Sequence, residues 1–226
     1  MAKNILVVAA HPDDEVLGCG GTISIFSKKG NKVYTLILGE GITSRDEKRN
    51  RAGREREIEQ LKSQVSEANK MMGVIKDFVF DFPDNRFDTV ALLDVVKTVE
   101  KVKLEVHPDI VLTHHRGDLN IDHQITYRAV ITAFRPLKGE TVREIYSFEV
   151  PSSTEWSREV FLPQCYFSID EKCLKSKINA LRCYEGELRS YPHPRSPEAI
   201  EILAKWRGLQ VGVELAEAFE VVRIIN

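Results

Sequence analysis

The stretch NILVVAAHPDDEVLGCGG, residues 4–21, runs from apolar residues into a histidine, three carboxylates and then three glycines. Its apolar, β-branched part, Asn4–Ala10, predicts a strand, and the periodicity of Val16–Lys29 predicts a helix. A strand that passes through a short polar turn into a helix is the opening of a βαβ unit. The stretch therefore predicts an α/β fold with a parallel sheet.

The same alternation continues along the chain, with no internal repeat, low-complexity tract or linker. It predicts a single domain over residues 1–226, with a mostly parallel sheet flanked by helices. Further strands are predicted at 32–38, 78–82, 109–113, 142–150, 165–169 and 219–224. Further helices are predicted at 50–72, 90–105, 123–134, 171–184 and 197–213.

Composition excludes several classes of partner. The 226 residues include 32 basic and 34 acidic side chains, a net charge of -2, which gives no electrostatic basis for binding nucleic acid. No apolar run approaches the roughly 18 residues of a spanning helix, and the N-terminus lacks a signal-peptide cleavage pattern, so we expect a cytoplasmic protein with no membrane insertion. The four cysteines form no CxxC pair, as expected in a reducing compartment.

The three glycines of LGCGG superficially suggest a dinucleotide-binding turn. Ile23 stands where the GxGxxG pattern needs its third glycine. The three carboxylates just before them would also repel a pyrophosphate. We interpret the glycines as permitting close backbone approach, either of the helix to the sheet or of a substrate to the loop.

The polar turn and a second polar segment predict a metal site. His11 and Asp14 are three residues apart across a strand-to-helix turn, so both can face one ion while Asp13 projects elsewhere. His123 lies near the end of the fourth predicted strand and supplies a third ligand. Two histidines and one carboxylate suit Zn²⁺ with an open position for water, although Fe²⁺ or another divalent ion fits the same set. The alternative is that these are ordinary loop histidines and acidic helix caps.

Several motifs resemble the PIG-L family of zinc-dependent N-deacetylases, also called LmbE-like, nearly end to end: AHPDDE, EANKMMGV, DFPDNRFDT, DLNIDHQ, ALRCYEGEL, PHPRSPEAIEILAKWRG and LAEAFEVVR. The resemblance implies a Rossmann-like fold and hydrolysis of an acetamido group, usually on a glucosamine-type sugar. It makes His11, Asp14 and His123 the metal ligands and Asp13 the general base. It also implies a homo-oligomer and a small N-acetylated amino sugar or conjugate as substrate.

The chain departs from the family where the second signature often reads HxDH, because Asn120 replaces the leading histidine. An asparagine amide can donate to an oxyanion but carries no positive charge. We therefore predict that Asn120 belongs to the catalytic site and leave its role open. The missing hydrogen-bond donor or acid could be His114, His115 or His193, of which we prefer His193. Asp122, beside a ligand, is expected to orient the imidazoles.

Sugar hydroxyls and acidic substituents require planar polar groups and cations. Arg54 could serve from the second helix, with Arg56 and Lys62 as alternatives, and Glu40 and Arg45 are expected in a loop over the site. The residues predicted to bind substrate are Asp84, Asn85, Arg86, Arg54 and Arg195.

Two other functions fit part of this pattern. A metal-dependent phosphoesterase uses similar aspartate and histidine clusters, but it normally holds two metals and more bridging carboxylates. A non-catalytic sugar or nucleotide binder could share the fold, since fold alone does not determine function. A binder has no need for a base beside a metal, so the deacetylase interpretation is favoured.

Overall fold

The computed structural model describes residues 2–184 and 186–226. Within these ranges the chain forms seven strands and six α-helices. The strands are β1 (Asn4–Ala9), β2 (Lys32–Gly39), β3 (Lys76–Phe82), β4 (Ile110–His114), β5 (Glu144–Phe148), β6 (Cys165–Ser168) and β7 (Ala216–Ile224). The helices are α1 (Asp14–Lys28), α2 (Glu55–Met72), α3 (Leu92–Val106), α4 (Ile121–Ala133), α5 (Glu171–Leu181) and α6 (Pro197–Leu209).

The strands form one sheet in the order β3-β2-β1-β4-β5-β7-β6. Strands β1 to β5 pair in parallel, and β7 runs antiparallel to both β5 and β6. The predicted mostly parallel α/β sheet is therefore confirmed. The strand order reverses between the neighbours β1 and β4, which is the place where open α/β sheets bind ligands beyond the strands' carboxyl ends.

Helices cover both faces of the sheet, and β1 shows this most clearly. Alternate side chains of β1 enter two apolar clusters, one shared with α1, α2, α5 and α6 and the other with α3 and α4. Ile5 to Ala10 are all fully buried. The uninterrupted apolar run of β1 thus follows from burial on two faces.

The first helix is interrupted where the sequence carries its glycines. Cys19 has a non-helical φ of -149° inside α1. A Cβ atom at Gly18 would overlap the ring of Phe148 in β5, so this glycine allows α1 to approach the sheet closely. The structure supports the packing interpretation of the glycine run.

Most predicted elements are present with shifted ends. Helix α2 begins at Glu55 instead of 50, because Ala52–Arg54 form a separate 3₁₀ turn. Helix α4 begins at Ile121, before the predicted start at His123, because the Asn120 side chain caps it. No helix in the described ranges is long and apolar enough to cross a membrane.

Candidate metal centre and active site

A polar cavity of about 220 Å³ lies beyond the carboxyl ends of β1 and β4. Three connections meet there: the turn after β1, the loop after β3 and the loop between β4 and α4. The rest of the wall consists of Gly41, Ser44, Arg45, Ser152, Ser153, Glu187 and Arg195. The side chains that carry the chemistry of this wall are His11, Asp13, Asp14, Arg45, Asp84, Asn85, Asn120, His123, Glu187 and Arg195.

The three predicted metal ligands converge in this cavity. Asp14 Oδ2 lies 3.3 Å from His11 Nδ1 and 3.2 Å from His123 Nε2. Ligands bound tetrahedrally at about 2.1 Å from zinc are separated from each other by about 3.4 Å. The spacing of these donor atoms, and the donor set itself, therefore fit one divalent ion.

The charges around the ligands stabilise positive charge at this point. Although burial opposes ionisation, His123 and His114 hold the pKa of Asp14 well below its usual range. Burial likewise opposes a charged His123, yet Asp14 and Asp118 raise the pKa of this histidine to about 9. A cation held between these carboxylates is favoured for the same electrostatic reason.

Asp122 contacts His11 on the side opposite Asp14. Its Oδ2 lies 2.9 Å from His11 Nε2, and its Oδ1 accepts a hydrogen bond from the backbone N–H of Phe87 at 2.9 Å. Asp84 Oδ1 also approaches His11 Nε2, at 3.4 Å. His11, Asp84 and Asp122 are thus close enough to form a second potential metal group.

This second group is better explained by hydrogen bonding than by a second ion. Each nitrogen of a neutral imidazole has one function, and a ligand histidine usually donates its other N–H to a carboxylate. His11 Nε2 has such an acceptor in Asp122. Asp84 is already engaged, because its Oδ2 accepts from the Ser44 hydroxyl at 2.6 Å and the Ser44 N–H at 3.1 Å.

Asp118, which the sequence did not predict for the site, lies in the corresponding position beside His123. Its Oδ1 lies 3.1 Å from His123 Nδ1. It also accepts hydrogen bonds from the Ser153 and Thr154 hydroxyls. The available signal was a carboxylate five residues before His123, in the loop that leads into α4. Each predicted ligand histidine therefore faces Asp14 with one ring nitrogen and a second carboxylate with the other.

Asp13 faces the cavity next to the ligands. Its backbone is left-handed, with φ 101°. Its Oδ2 accepts a hydrogen bond from Arg195 Nη1 at 2.8 Å, and the same Nη1 lies 3.1 Å from Glu187. Burial raises the pKa of Asp13 well above its usual range, although Arg195 opposes this. Arg195, which was predicted to bind substrate, thus contacts Asp13, and its Nε donates a hydrogen bond to the Ser152 hydroxyl.

Comparison with known proteins identifies the family. The family model for PIG-L, described as GlcNAc-PI de-N-acetylase, matches residues 6–134, more than half of the chain. The chain belongs to the PIG-L family. The uncharacterized deacetylase YaiS of Escherichia coli K12 is 29% identical over 81% of this chain and 91% of its own length.

Two further proteins resemble the chain over more than two thirds of its length. A probable N-acetyl-alpha-D-glucosaminyl L-malate deacetylase 2 of Bacillus cereus is 26% identical over 69% of this chain and 71% of its own. The crystal structure of the conserved protein TT1542 from Thermus thermophilus superposes with a TM-score of 0.75 at 21% identity, covering 99% of this chain and 96% of that one. This structure supports the fold alone.

Asn120 is the position that departs from the PIG-L pattern, and both its amide oxygen and its amide nitrogen form hydrogen bonds. Its Oδ1 accepts from the Asp122 N–H at 2.8 Å and caps α4, while its Nδ2 donates to Asn85 Oδ1 at 2.8 Å. Asn120 lies in the cavity wall, so one remaining N–H is available there. Its position in the cavity wall is compatible with the predicted catalytic role, which stays a prediction.

The three histidines considered as substitutes lie elsewhere. His114 is fully buried, stacks on His123 and accepts the Ala10 N–H at Nε2. His115 lies 2.9 Å from Glu220. His193, the preferred candidate, accepts the Arg195 N–H at 3.1 Å and is absent from the described lining of the cavity. His193 therefore shapes the turn that carries Arg195, and the structure does not bring it to the reacting position.

The predicted substrate residues separate into two groups. Asp84 and Asn85 line the cavity, whereas Arg86 reaches the Glu47 carbonyl at 3.5 Å. Arg54 makes a bidentate ion pair with Asp46, at 2.6 and 3.0 Å, and is also absent from the described cavity wall. Neither arginine lines the described cavity, and the substrate role of both stays a prediction.

The loop expected over the site does contribute to it. Arg45 lines the cavity and pairs with Glu187 at 2.7 Å. Glu40 is buried away from the cavity, where Arg49 binds it through two hydrogen bonds of 2.8 and 3.0 Å and anchors the loop. Glu187 had no signal in the sequence, because its partner Arg45 lies 142 positions away and its partner Arg195, eight positions away, shares no helix or strand with it.

Proposed function

We propose that this PIG-L protein is a metal-dependent N-deacetylase that removes the acetyl group from an N-acetylglucosamine-type sugar or sugar conjugate. One observation carries the proposal. A buried carboxylate, Asp13, faces the same cavity as three donor atoms whose spacing fits a divalent ion. A base beside a metal site is the arrangement that amide hydrolysis requires. The family description and the Bacillus cereus relative support the sugar class.

A divalent ion, Zn²⁺ by donor preference, would supply Lewis acidity that activates water and polarises the acetyl carbonyl. Asp13 accepts the proton of the attacking water at its carboxylate and then delivers it to the departing sugar amine. Arg195, 2.8 Å from Asp13 Oδ2, keeps that carboxylate in place. The Asn120 amide N–H can donate to the carbonyl oxygen as negative charge develops there.

Asp122 and Asp118 support this role by holding the ligand histidines. Each carboxylate contacts the imidazole nitrogen that faces away from Asp14, at 2.9 Å for His11 and 3.1 Å for His123. A fixed acceptor on that nitrogen sets the tautomer and presents the other nitrogen's lone pair to a metal. The imidazoles are thus oriented for ligation, and the proton that the raised pKa of His123 retains on this ring would be displaced on ligation.

The two rival functions have weaker support. A two-metal phosphoesterase would need a second ion at His11, Asp84 and Asp122, yet His11 Nε2 and Asp84 already have hydrogen-bonding partners there. A simple sugar binder gives no reason for a carboxylate with left-handed backbone beside the ligand triad. Amide hydrolysis accounts both for a single metal site and for the carboxylate of Asp13 beside it.

The test is acetate release from a panel of N-acetylated sugars, using protein stripped of metal and then reloaded with Zn²⁺ or Fe²⁺. We expect release that requires added metal and that differs between the two ions. Phosphate release from phosphorylated sugars, measured in parallel, separates the phosphoesterase alternative. Stoichiometric metal binding with no acetate from any N-acetyl sugar would contradict the proposed function.

A further inference from the structure

The backbone N–H of Asp13 is bound by a carboxylate that the proposed reaction does not use. Glu15 Oε2 accepts this N–H at 3.1 Å, within the left-handed turn in which Asp13 has φ 101°. The other oxygen of the same carboxylate, Glu15 Oε1, accepts the hydroxyl of Tyr184 at 2.5 Å. A chain of hydrogen bonds therefore runs from the Tyr184 hydroxyl through Glu15 to the Asp13 backbone.

Glu15 and Tyr184 lie behind the turn, away from the catalytic cavity. Glu15 is fully buried and Tyr184 is 1% exposed, and neither is among the described residues that line the metal cavity. Tyr184 belongs to the apolar cluster that also contains Leu17 of α1, so core packing holds its ring. An effect of either side chain on the reaction therefore has to pass through the turn that carries Asp13.

This chain of hydrogen bonds holds the part of Asp13 that its other contacts leave free. Arg195 Nη1 donates to the carboxylate at 2.8 Å. The Asp13 carbonyl accepts the N–H groups of Val16 and Leu17, at 3.0 and 2.8 Å. A non-glycine residue persists in a left-handed conformation only where its surroundings enforce it. Because both oxygens of Glu15 have partners, the orientation of this carboxylate is fixed, and so is the N–H that it binds.

We propose that Tyr184 is a positioning residue for the general base: through Glu15 it holds the strained backbone that directs the Asp13 carboxylate into the metal cavity. The inference rests on the proposed function, in which Asp13 accepts the proton of the attacking water. The alternative is that the Tyr184 hydroxyl only satisfies a buried carboxylate and stabilises the core. Displacing a reacting group by about 1 Å can lower a rate about 10²-fold, so the two roles predict different kinetics.

The test is Tyr184→Phe, which removes the hydroxyl and keeps the ring in the core. In zinc-loaded protein, kcat for acetate release should fall about tenfold to 100-fold, while KM and zinc stoichiometry stay unchanged. Tyr146→Phe is the matched control, because the Tyr146 hydroxyl is also buried and donates to Glu144 at 2.7 Å, outside the described cavity wall. This control should leave kcat unchanged. Equal kcat values in Tyr184→Phe and the wild type, or equal losses in both variants, would overturn the proposal.

A double-mutant cycle separates positioning of the base from a general loss of structure. If Tyr184 acts through Asp13, Tyr184→Phe should change the residual turnover of Asp13→Asn protein by less than about twofold, because the base is already lost. The same fold loss with and without the Asp13 carboxylate would instead assign Tyr184 to stability alone and overturn its positioning role.

Hydrogen exchange of the Asp13 amide gives a readout that does not depend on acetate release. Measured by NMR on zinc-loaded protein, Tyr184→Phe should speed this exchange about tenfold or more, and Tyr146→Phe should leave it unchanged. If no N-acetyl sugar releases acetate, the proposed function fails, and the exchange rate alone decides whether Tyr184 holds the Asp13 backbone. Faster exchange in Tyr184→Phe would support that hold, and an unchanged rate would overturn it.

Discussion

Asp13 stores backbone strain at the centre of the cavity. A non-glycine residue with φ near 100° costs about 1–3 kcal/mol and persists only where its surroundings enforce it. The surroundings here are Glu15, whose Oε2 accepts the Asp13 N–H at 3.1 Å, and Tyr184, whose hydroxyl donates to Glu15 Oε1 at 2.5 Å. The strained turn points two consecutive carboxylates at different partners. Asp13 contacts Arg195, whereas Asp14 lies beside the two predicted ligand histidines.

Replacing Asp13 by asparagine tests its assignment as the base. The amide keeps the shape but cannot accept a proton, so turnover should fall by about 10²-fold or more while bound zinc stays stoichiometric. Acetate release and metal content are measured on the same preparation. Asp88→Asn, at an exposed position outside the described cavity wall, is the control. Loss of zinc together with turnover would instead make Asp13 a ligand.

Asp118 offers a different test, because it acts through His123. Asp118→Asn weakens the acceptor 3.1 Å from His123 Nδ1, so zinc affinity should fall about 10–100-fold. At saturating zinc most of the turnover should return, which a general loss of structure would not allow. Competition with a chelator gives the affinity. Unchanged affinity would show that His123 needs no such support.

The sequence predicted the convergent ligands but missed the contacts among distant residues. His11 and Asp14 share one turn, and His123 follows a neighbouring strand, so local pattern and topology suffice to bring them together. The Arg195–Asp13 contact joins residues 182 positions apart, and nothing local specifies it. The sequence therefore placed Arg195 at the site as a substrate residue but did not predict its contact with Asp13.

At the scale of elements, the break in α1 is bridged by a buried ion pair. Glu217 of β7 accepts the backbone N–H groups of Gly21 and Thr22, at 3.0 and 2.6 Å, just after the break. Lys177 of α5 donates to the Leu17 carbonyl before the break, at 2.8 Å, and to Glu217 at 2.6 Å. The pair satisfies backbone groups that the break leaves open and fixes the part of α1 that carries Asp14.

Glu217→Gln should therefore be strongly destabilising. It leaves the Lys177 ammonium buried without a counter-charge, and breaking such a pair costs about 3–5 kcal/mol of unfolding free energy. Urea denaturation of the mutant and the wild type measures the difference. Glu201→Gln, which breaks the exposed pair with Lys205, is the control and should cost less than about 1 kcal/mol. Similar small losses in both variants would show that the buried pair is dispensable.

Helix α5 has a cap whose contribution depends on pH. Asp170 accepts the Cys173 N–H at 2.7 Å, and this hydrogen bond, with Lys28 nearby, lowers the pKa of Asp170 to about 2. Because the folded pKa lies below the unfolded one, the stabilisation is complete above about pH 4 and is lost as the pH falls through 2.

Asp170→Ala should thus reduce stability by about 1 kcal/mol near pH 6, and the deficit should shrink between pH 4 and 2. Asp170→Asn, which can still cap, should retain most of the stability near pH 6. Thermal unfolding across this pH range measures both variants. A deficit that stays constant with pH would assign the effect to packing instead of the ionised cap.

Element types were predictable from the sequence and element ends were not. Within the part of the chain that the structure describes, the periodicity of apolar residues identified all seven strands and all six α-helices, but not the short 3₁₀ turns, because burial on a sheet face or a helix stripe leaves that pattern. The start of α4 is capped by the Asn120 side chain, and the backbone N–H groups after the break at Cys19 are bound by Glu217 from the last strand. Such ends are set by single polar contacts that periodicity does not encode.

At the scale of the molecule, the sheet brings the site together by its strand order. Residues 11–14 and 118–123 are more than 100 positions apart, yet β1 and β4 are neighbours, so their following loops share one edge. The apolar clusters on both faces contain none of the three ligands. The core therefore exists independently of the metal, and we expect the metal-free protein to be folded.

Zinc should nevertheless stabilise the folded chain, since the convergent ligand set exists in the folded state alone. At zinc concentrations 100-fold above Kd, linkage predicts a gain of about 2.7 kcal/mol. For a domain of this size that corresponds to a rise in Tm of about 5–11 °C. Differential scanning calorimetry of stripped and reloaded protein measures the shift, and a chelator should reverse it. Asp14→Asn should abolish the shift and Asp88→Asn should preserve it; a full shift in Asp14→Asn would place the ion elsewhere in the molecule.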